Sequence, residues 1–189
     1  MENVTLASKE NVTMPNEEAV LVEAARSDPA AFTMLYRRYV TPVYRYLYKW
    51  VGNPAEAEDL TAQVFTEMLE RLEQYQERGH FAAWLFTIAR RKAIAAYRQR
   101  RPTLALDEAE DLPAPSEDPL EQVARTEQAR QMTALIAKLP EEQQELIRLR
   151  FTAGLSYADI GALLGSTEAA VKMAVHRLLR KLNEQWEAK

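Results

Sequence analysis

Residues 156–177 read SYADIGALLGSTEAAVKMAVHR. Ser156 and Asp159 have the spacing of a capping box, with Asp in place of the usual Glu or Gln, and predict a helix start. Gly165 can adopt the left-handed backbone conformation that ends a helix in a tight turn, and Thr167 can cap a second helix. Two capped helices around a glycine turn predict a helix-turn-helix, the motif whose second helix lies in the major groove of DNA.

Apolar residues in the same stretch are spaced to form the seam between the two crossing helices. Gly161 is small enough to let the helices approach closely. We expect the seam to consist of Ile160, Leu164, Val171 and Ala174.

The outer side of the predicted second helix carries candidate DNA contacts. Residues 172–181 contain four bases and one histidine but no acid, and a basic helix attracts DNA phosphates. A helical hairpin with a solvated basic face is the alternative interpretation, but the caps, the turn glycine and the basic helix together favour DNA binding. The candidate contacts are Thr167, Glu168, Ala169, Lys172, His176, Arg177 and Arg180.

The net charge of −4 by itself argues against a nucleic-acid ligand, but the charges are sorted into blocks. Residues 90–101 contain six bases and no acid, whereas residues 102–121 contain seven acids and no base. Local potential, not total charge, attracts phosphate, so the first block is a second candidate DNA-binding surface.

The whole chain predicts an all-α protein with two small helical domains joined by an acidic, proline-containing linker. Residues 1–15 are polar and aperiodic and are expected to be disordered. Residues 16–101 form the first helical domain, and residues 120–189 form the second, with the helix-turn-helix. Residues 102–119 hold four prolines and most of the acids, so they are assigned to the linker.

Helical periodicity is clearest in the first domain. Asp28 and Asn53 each precede a proline and predict capped helix starts. Pro42 lies within the apolar pattern of the earlier helix and should kink or divide it. The expected buried stripes are Phe32, Leu35, Tyr36, Tyr39, Val43, Tyr46, Leu47 and Trp50, then Leu60, Val64, Phe65, Met68, Leu69 and Leu72.

Several function classes are disfavoured by composition. The chain has no cysteine and only two histidines, far apart, so a thiolate or histidine metal site is not expected. No apolar run is long enough to span a bilayer, and the N-terminus does not resemble a signal peptide. Phosphate-loop, catalytic-triad and metal-ligand motifs are missing, so we predict no catalytic residue, cofactor or enzymatic role.

A series of motifs, in order, resembles the extracytoplasmic-function (group IV) sigma factors of the sigma-70 family. Residues 31–39, 57–65 and 81–90 resemble sigma region 2. Region 4 is resembled by Leu139–Gln143, Gly154–Tyr157, Val171-Lys172 and His176-Arg177. The order, the spacing and the intervening linker match over roughly residues 17–185. Each motif alone is moderately specific, but the ordered set is highly specific.

The resemblance implies a transcription initiation factor that directs core RNA polymerase to promoters. Region 4 would recognise the −35 element, and region 2 would recognise and melt the −10 element. The implied partners are the β′ and β subunits of core polymerase, promoter DNA and an anti-sigma factor. The implied location is the cytoplasm, without stable membrane insertion, although an anti-sigma factor could hold the protein at the membrane.

The resemblance also assigns residues. Region 2.2 of the family docks on a coiled coil of β′, although Glu58 and Asp59 could merely favour a helix start and Leu60 could be core. Phe81 and Trp84 fit the buried stripe better than a DNA-melting surface. The polymerase-binding candidates are Glu58, Asp59, Leu60, Gln63 and Phe65. The −10 candidates are Arg78, His80, Arg90, Arg91, Lys92, Arg98 and Arg100.

The chain departs from the family pattern at two places, and alternatives stay open for the linker and for the function. Many family members have Asn where this chain has Arg91-Lys92, and a frequent basic position of the recognition helix is Ala174. The acidic linker could thread through a basic polymerase channel, screen the basic patches or be a plain linker. A one-component helix-turn-helix regulator would use residues 17–101 as a sensor or dimerisation domain, but it would not need the basic block at Arg90–Arg101.

Overall fold

Helices make up the regular structure of the residues that this computed structural model describes, which are 17–76, 78–100 and 119–187. A 3-10 turn (Leu72–Gln74) follows α3, and a π-helical turn (Arg148–Thr152) follows α6. The all-α prediction is confirmed. The predicted disordered residues 1–15 lie outside the described residues, as does the predicted linker except Pro119. The helices are α1 (Glu17–Ala24), α2 (Pro29–Val51), α3 (Pro54–Arg71), α4 (Phe81–Arg100), α5 (Pro119–Ala137), α6 (Glu141–Ile147), α7 (Tyr157–Leu164) and α8 (Glu168–Glu187).

Local capping fixes the starts of α2 and α3. The Asp28 side chain accepts a hydrogen bond from the backbone N–H of Ala30 at 2.8 Å, and Asn53 accepts one from Glu56 at 3.0 Å. Each cap is followed by a proline in the first turn, where no backbone donor is needed. Both predicted helix starts are confirmed.

Pro42 lies inside α2, which continues as one helix of 23 residues. Proline removes one helical hydrogen bond, but Tyr39, Val43 and Tyr46 on either side of it are buried in the core. Tertiary packing therefore keeps the helix continuous, and the alternative that Pro42 divides it is wrong.

The larger of two apolar clusters in the described residues is shared by a first group of helices, α1 to α4, and a second group, α6 to α8. The smaller cluster consists of Leu135, Leu139, Leu178 and Leu182. α7 packs against α4, and the π turn packs against α2. The members from the second group are Leu149, Ala153, Leu155, Ile160, Val171 and Val175.

Two residues of the predicted stripes lie at the edges of the buried surface. Leu69 is 56% exposed and Tyr36 is 41% exposed, so their predicted burial is wrong. Tyr36 still packs edge-on against Phe65, with ring centroids 4.7 Å apart. In the described part of the chain, no helix combines the length and apolarity needed to cross a membrane.

Candidate nucleic-acid interface

The helix-turn-helix is formed by α7 and α8. Ser156 caps α7 by accepting a hydrogen bond from the Asp159 backbone at 3.0 Å, and Gly165 ends the helix with φ of 67°. Thr167 accepts a hydrogen bond from the Ala170 backbone at 3.2 Å. A Cβ on Gly161 would lie only 2.9 Å from the Ser166 carbonyl oxygen. The predicted caps, turn and close approach are confirmed.

The seam between these helices differs from the predicted one at two positions. Ile160 and Val171 are buried as expected, but Leu164 is 36% exposed and Ala174 is half-buried. Leu164 is the last residue of α7, so it lies at the edge of the seam beside the turn. Val175, which follows Ala174 and lies four residues after Val171, is buried instead of Ala174.

The predicted −35 contacts are exposed on α8 and at its capping residue Thr167. Val171, Val175 and Leu178 are buried on the inner face at helical spacing, which turns the intervening residues outward. A positive helical face of this kind can bind phosphates and place its N-terminal residues against base edges. The exposed candidates are Thr167, Glu168, Ala169, Lys172, His176, Arg177 and Arg180.

α4 carries the second basic surface, and Glu67 of α3 fixes two of its cations. The Arg91 guanidinium donates a hydrogen bond to Glu67, and Nζ of Lys92 lies 3.3 Å from the same carboxylate. Arg71 pairs with Glu67 at 3.0 Å. The hydrogen bond from Arg91, followed by that from Lys92, holds the pKa of Glu67 below its ordinary value of 4.5. Glu67 therefore stays charged at neutral pH and positions Arg91 and Lys92.

The remaining −10 candidates have different surroundings. Arg98 is exposed on α4, and Arg78 is exposed and donates a hydrogen bond to Gln76 at 3.1 Å. Nδ1 of His80 lies 3.2 Å from a carboxylate oxygen of Asp159 on α7, so His80 contacts the helix-turn-helix. The side chain of Arg100 lies outside the described side chains.

The aromatic residues of α4 separate into core and surface. Phe81 is fully buried, and Trp84 packs on it with ring centroids 5.5 Å apart. Their predicted role in the core is confirmed. Tyr97 is 47% exposed and packs edge-on against Trp50 at 5.7 Å.

The predicted polymerase-binding residues divide by helix face. Glu58, Asp59 and Gln63 are exposed on α3, whereas Leu60 and Phe65 are buried in the core. An amphipathic helix cannot present both faces to solvent. The exposed face of α3 therefore consists of the two carboxylates and the amide, and Leu60 and Phe65 hold the helix in place.

Glu145 of α6 is a buried carboxylate that sequence reasoning missed. It is 4% exposed and accepts a hydrogen bond from the Tyr46 hydroxyl at 2.8 Å. Nε of Arg90 donates to the same oxygen at 3.2 Å, and Nε of Arg148 donates to the other oxygen at 3.0 Å. The Arg148 guanidinium lies over the Trp50 ring, 4.2 Å from its centroid. One signal in the sequence pointed to it. Glu145 lies four residues before the core residue Leu149, so the two share a helix face and the acid is expected to face the core.

Known protein families match both the part of the chain that contains α4 and the part that contains the helix-turn-helix. Residues 35–103 match the family model of sigma-70 region 2, and residues 129–182 match that of sigma-70 region 4. The chain is 36% identical to the ECF RNA polymerase sigma factor BldN of Streptomyces coelicolor over 86% of this chain and 63% of BldN. It is 31% identical to the ECF RNA polymerase sigma factor SigD of Mycobacterium tuberculosis over 96% of this chain and 90% of SigD.

Two solved structures share the fold. CnrH, solved with the cytosolic domain of CnrY, has a TM-score of 0.64 and 24% identity over 90% of this chain and 97% of CnrH. RpoE of Bartonella quintana, solved with the anti-sigma factor NepR, has a TM-score of 0.61 and 20% identity over 82% of this chain and 96% of that chain.

Proposed function

The chain belongs to the extracytoplasmic-function branch of the sigma-70 family, and from this membership we propose that it directs core RNA polymerase to promoters and initiates transcription there. The observation that carries the proposal is the pair of basic helices, α4 and α8, one in each family-matched region. A sigma factor needs both surfaces, because it contacts a promoter at two separate elements.

In this proposal α8 reads the −35 element. Its exposed face combines phosphate-binding cations with small residues near the N-terminus that allow close approach to bases. Lys172 and Arg177 are both exposed on α8 and are the principal candidates. Because Ala174 stands where many relatives have a basic residue, we expect the base preference of this chain to differ from theirs.

The −10 element would be bound by α4. Arg91 and Lys92 are held in fixed orientations by Glu67, and Arg98 extends the basic surface toward the C-terminus of the helix. Pre-oriented cations lose less side-chain entropy when they bind phosphate. Arg78, His80, Arg90 and Arg100 complete the proposed set.

Core polymerase would bind the exposed face of α3. Glu58 and Asp59 can pair with basic residues of β′, and Gln63 adds a hydrogen-bonding group one turn later. Leu60 and Phe65 would act by holding α3 in position. The β subunit and an anti-sigma factor complete the proposed partners. The sigma factor RpoE, which shares the fold, was solved with the anti-sigma factor NepR.

We also propose that the protein works in the cytoplasm, where core polymerase is found, and that it catalyses no reaction itself. The one-component regulator is not favoured, because the region 2 match covers the residues that it would use as a sensor domain.

Transcription in vitro with sigma-free core polymerase tests the proposal. We expect initiation at defined start sites from a genomic fragment library, with activity lost when both Lys172 and Arg177 are replaced by alanine. Arg130→Ala, which removes an exposed base from α5, is the matched control. Palindromic footprints by the protein alone, without polymerase-dependent initiation, would contradict the proposal.

A further inference from the structure

Met173 is a large apolar residue on the outer face of α8. It is 59% exposed, and it lies two residues after Val171 and two before Val175, both of which are buried. Successive residues of an α-helix are about 100° apart around its axis, so Met173 lies almost opposite the buried stripe. Its side chain therefore contributes little to the core and stands near the centre of the face that α8 turns away from the protein.

The surroundings of Met173 on this face include two small residues and two cations. Ala169 and Ala170, one turn earlier, are exposed and short, so they leave space in front of Met173. Lys172 is exposed beside it, and Nε of Arg177 donates a hydrogen bond to the Met173 carbonyl oxygen at 3.4 Å. Helical side chains lean toward the helix N-terminus, which directs the thioether over the two alanines. An apolar group thus lies between cations that can bind phosphates.

The place of Met173 along the helix indicates what it can contact. Single exposed apolar residues are common on protein surfaces and need no explanation in general. Met173, however, lies in the second turn of α8, which begins at Glu168, and the N-terminal part of such a helix contacts base edges in the major groove. The apolar group that base pairs present in that groove is the 5-methyl group of thymine.

We propose that Met173 recognises thymine in the −35 element by packing its thioether side chain against the 5-methyl group. The proposal rests on the sigma function argued above and adds a residue that determines base preference to it. Lys172 and Arg177 position α8 on the DNA, and Met173 selects an A·T pair beneath the centre of its outer face.

The chemistry of the side chain suits this contact. Methionine has no hydrogen-bond donor and only a weak acceptor, so it cannot satisfy the polar edge of a G·C pair. Burying that edge against an apolar side chain costs free energy. The methionine side chain is unbranched and flexible, so it can adjust to a methyl group on either strand.

Replacement of thymine by deoxyuridine tests the contact, because it removes the methyl group and keeps the base pair. The probe is a promoter whose start site has been mapped by transcription with sigma-free core, with deoxyuridine placed at one thymine of the −35 element at a time, on either strand. At one position we expect parent holoenzyme to bind about fourfold more weakly, the value of one methyl group removed from water. Fluorescence anisotropy with labelled promoter measures this binding.

The variant Met173→Ala completes a double-mutant cycle with the modified DNA. Its holoenzyme should bind the unmodified promoter about as weakly as parent holoenzyme binds the sensitive deoxyuridine promoter, and deoxyuridine at that position should weaken it no further. Met173→Leu keeps an apolar side chain of similar size and should retain most of the sensitivity. Leu179→Ala, at a 42% exposed apolar residue later in α8, is the matched control and should retain all of it. Circular dichroism confirms that each variant is folded.

The contrary outcomes are distinct. A −35 element without an A·T pair, or one in which no deoxyuridine weakens binding, overturns thymine recognition. An equal loss in the parent protein and in Met173→Ala at every position means that the methyl group acts through another residue or through DNA shape, and overturns the role of Met173. Failure of the parent protein to support transcription would instead contradict the sigma function.

Discussion

The hydroxyl of Tyr46 donates a 2.8 Å hydrogen bond to Glu145, 99 positions later in the chain. Both side chains are buried, and the bond connects the long helix α2 to the first helix before the helix-turn-helix. Burial and the neighbouring carboxylate raise the pKa of Tyr46. The phenol therefore remains a neutral donor wherever the protein is folded near neutral pH.

A double-mutant cycle on this pair should show coupling. We expect Tyr46→Phe to lower the free energy of unfolding by about 1 kcal/mol, the usual value of one hydrogen bond. Glu145→Ala should cost about 1–3 kcal/mol, because it leaves the buried Tyr46 hydroxyl without its acceptor. The double variant should be no less stable than Glu145→Ala alone. Urea unfolding measures all three; additive losses would show that the two residues act independently. Tyr97→Phe, at a tyrosine that is 47% exposed, is the control.

Glu67 should make stability depend on pH on the acid side. Its folded-state pKa is lowered by Arg91 and Lys92, so its contribution is fully present above the unfolded-state pKa. The contribution is lost as the pH falls through the folded-state pKa. Glu67→Gln should therefore be less stable than the parent protein at pH 7, by about 1 kcal/mol because the paired cations are partly exposed. The difference should shrink as the pH falls below the unfolded-state pKa.

Urea unfolding between pH 3 and pH 7 checks this expectation. Glu70→Gln, on the exposed side of the same helix, should follow the parent curve. A Glu67→Gln deficit that stays constant down to pH 3 would mean that packing, not charge, accounts for the loss.

The cations of α8 should dominate the salt dependence of promoter binding. Lys172→Ala should weaken promoter binding by the holoenzyme and reduce the slope of log K against log salt by about 1, if Lys172 contacts one phosphate. Arg177→Ala should act similarly or alter base preference, depending on whether it contacts a phosphate or a base edge. Fluorescence anisotropy with labelled promoter DNA between 50 and 200 mM salt, about the range over which such effects are large, provides the measurement. An Arg130→Ala slope that falls as much as that of Lys172→Ala would contradict the assignment.

The exposed carboxylates of α3 should control association with core polymerase. Asp59→Lys reverses a charge on this face, and we expect about tenfold weaker binding to core with slower association. Glu73→Lys, exposed on the turn after α3, carries the same charge change outside the proposed surface. Surface plasmon resonance with immobilised core measures both variants. Equal losses for both would show that only net charge matters.

Sequence reasoning succeeded wherever the deciding interaction was local. The caps at Asp28, Asn53 and Ser156 involve backbone groups two or three residues away, so residue type and spacing were sufficient to predict them. The outer face of α8 followed from helical periodicity alone.

The polar contacts that organise the site could not be predicted in this way. Glu67 meets Arg91 across 24 positions, and Glu145 meets Arg90 across 55. Such pairs depend on how helices cross, which the period of one helix does not specify. Leu69 and Leu164 were placed in the core by spacing but lie at the edges of their stripes, where a rotation of a few tens of degrees decides exposure.

The apolar cluster shared by the two regions has a practical consequence for anyone who divides the chain. Leu149, Ile160 and Val175 are almost completely covered in the intact protein, and a fragment carrying only the second region would lose the region 2 surface packed against it. Contiguous apolar patches of that kind drive self-association.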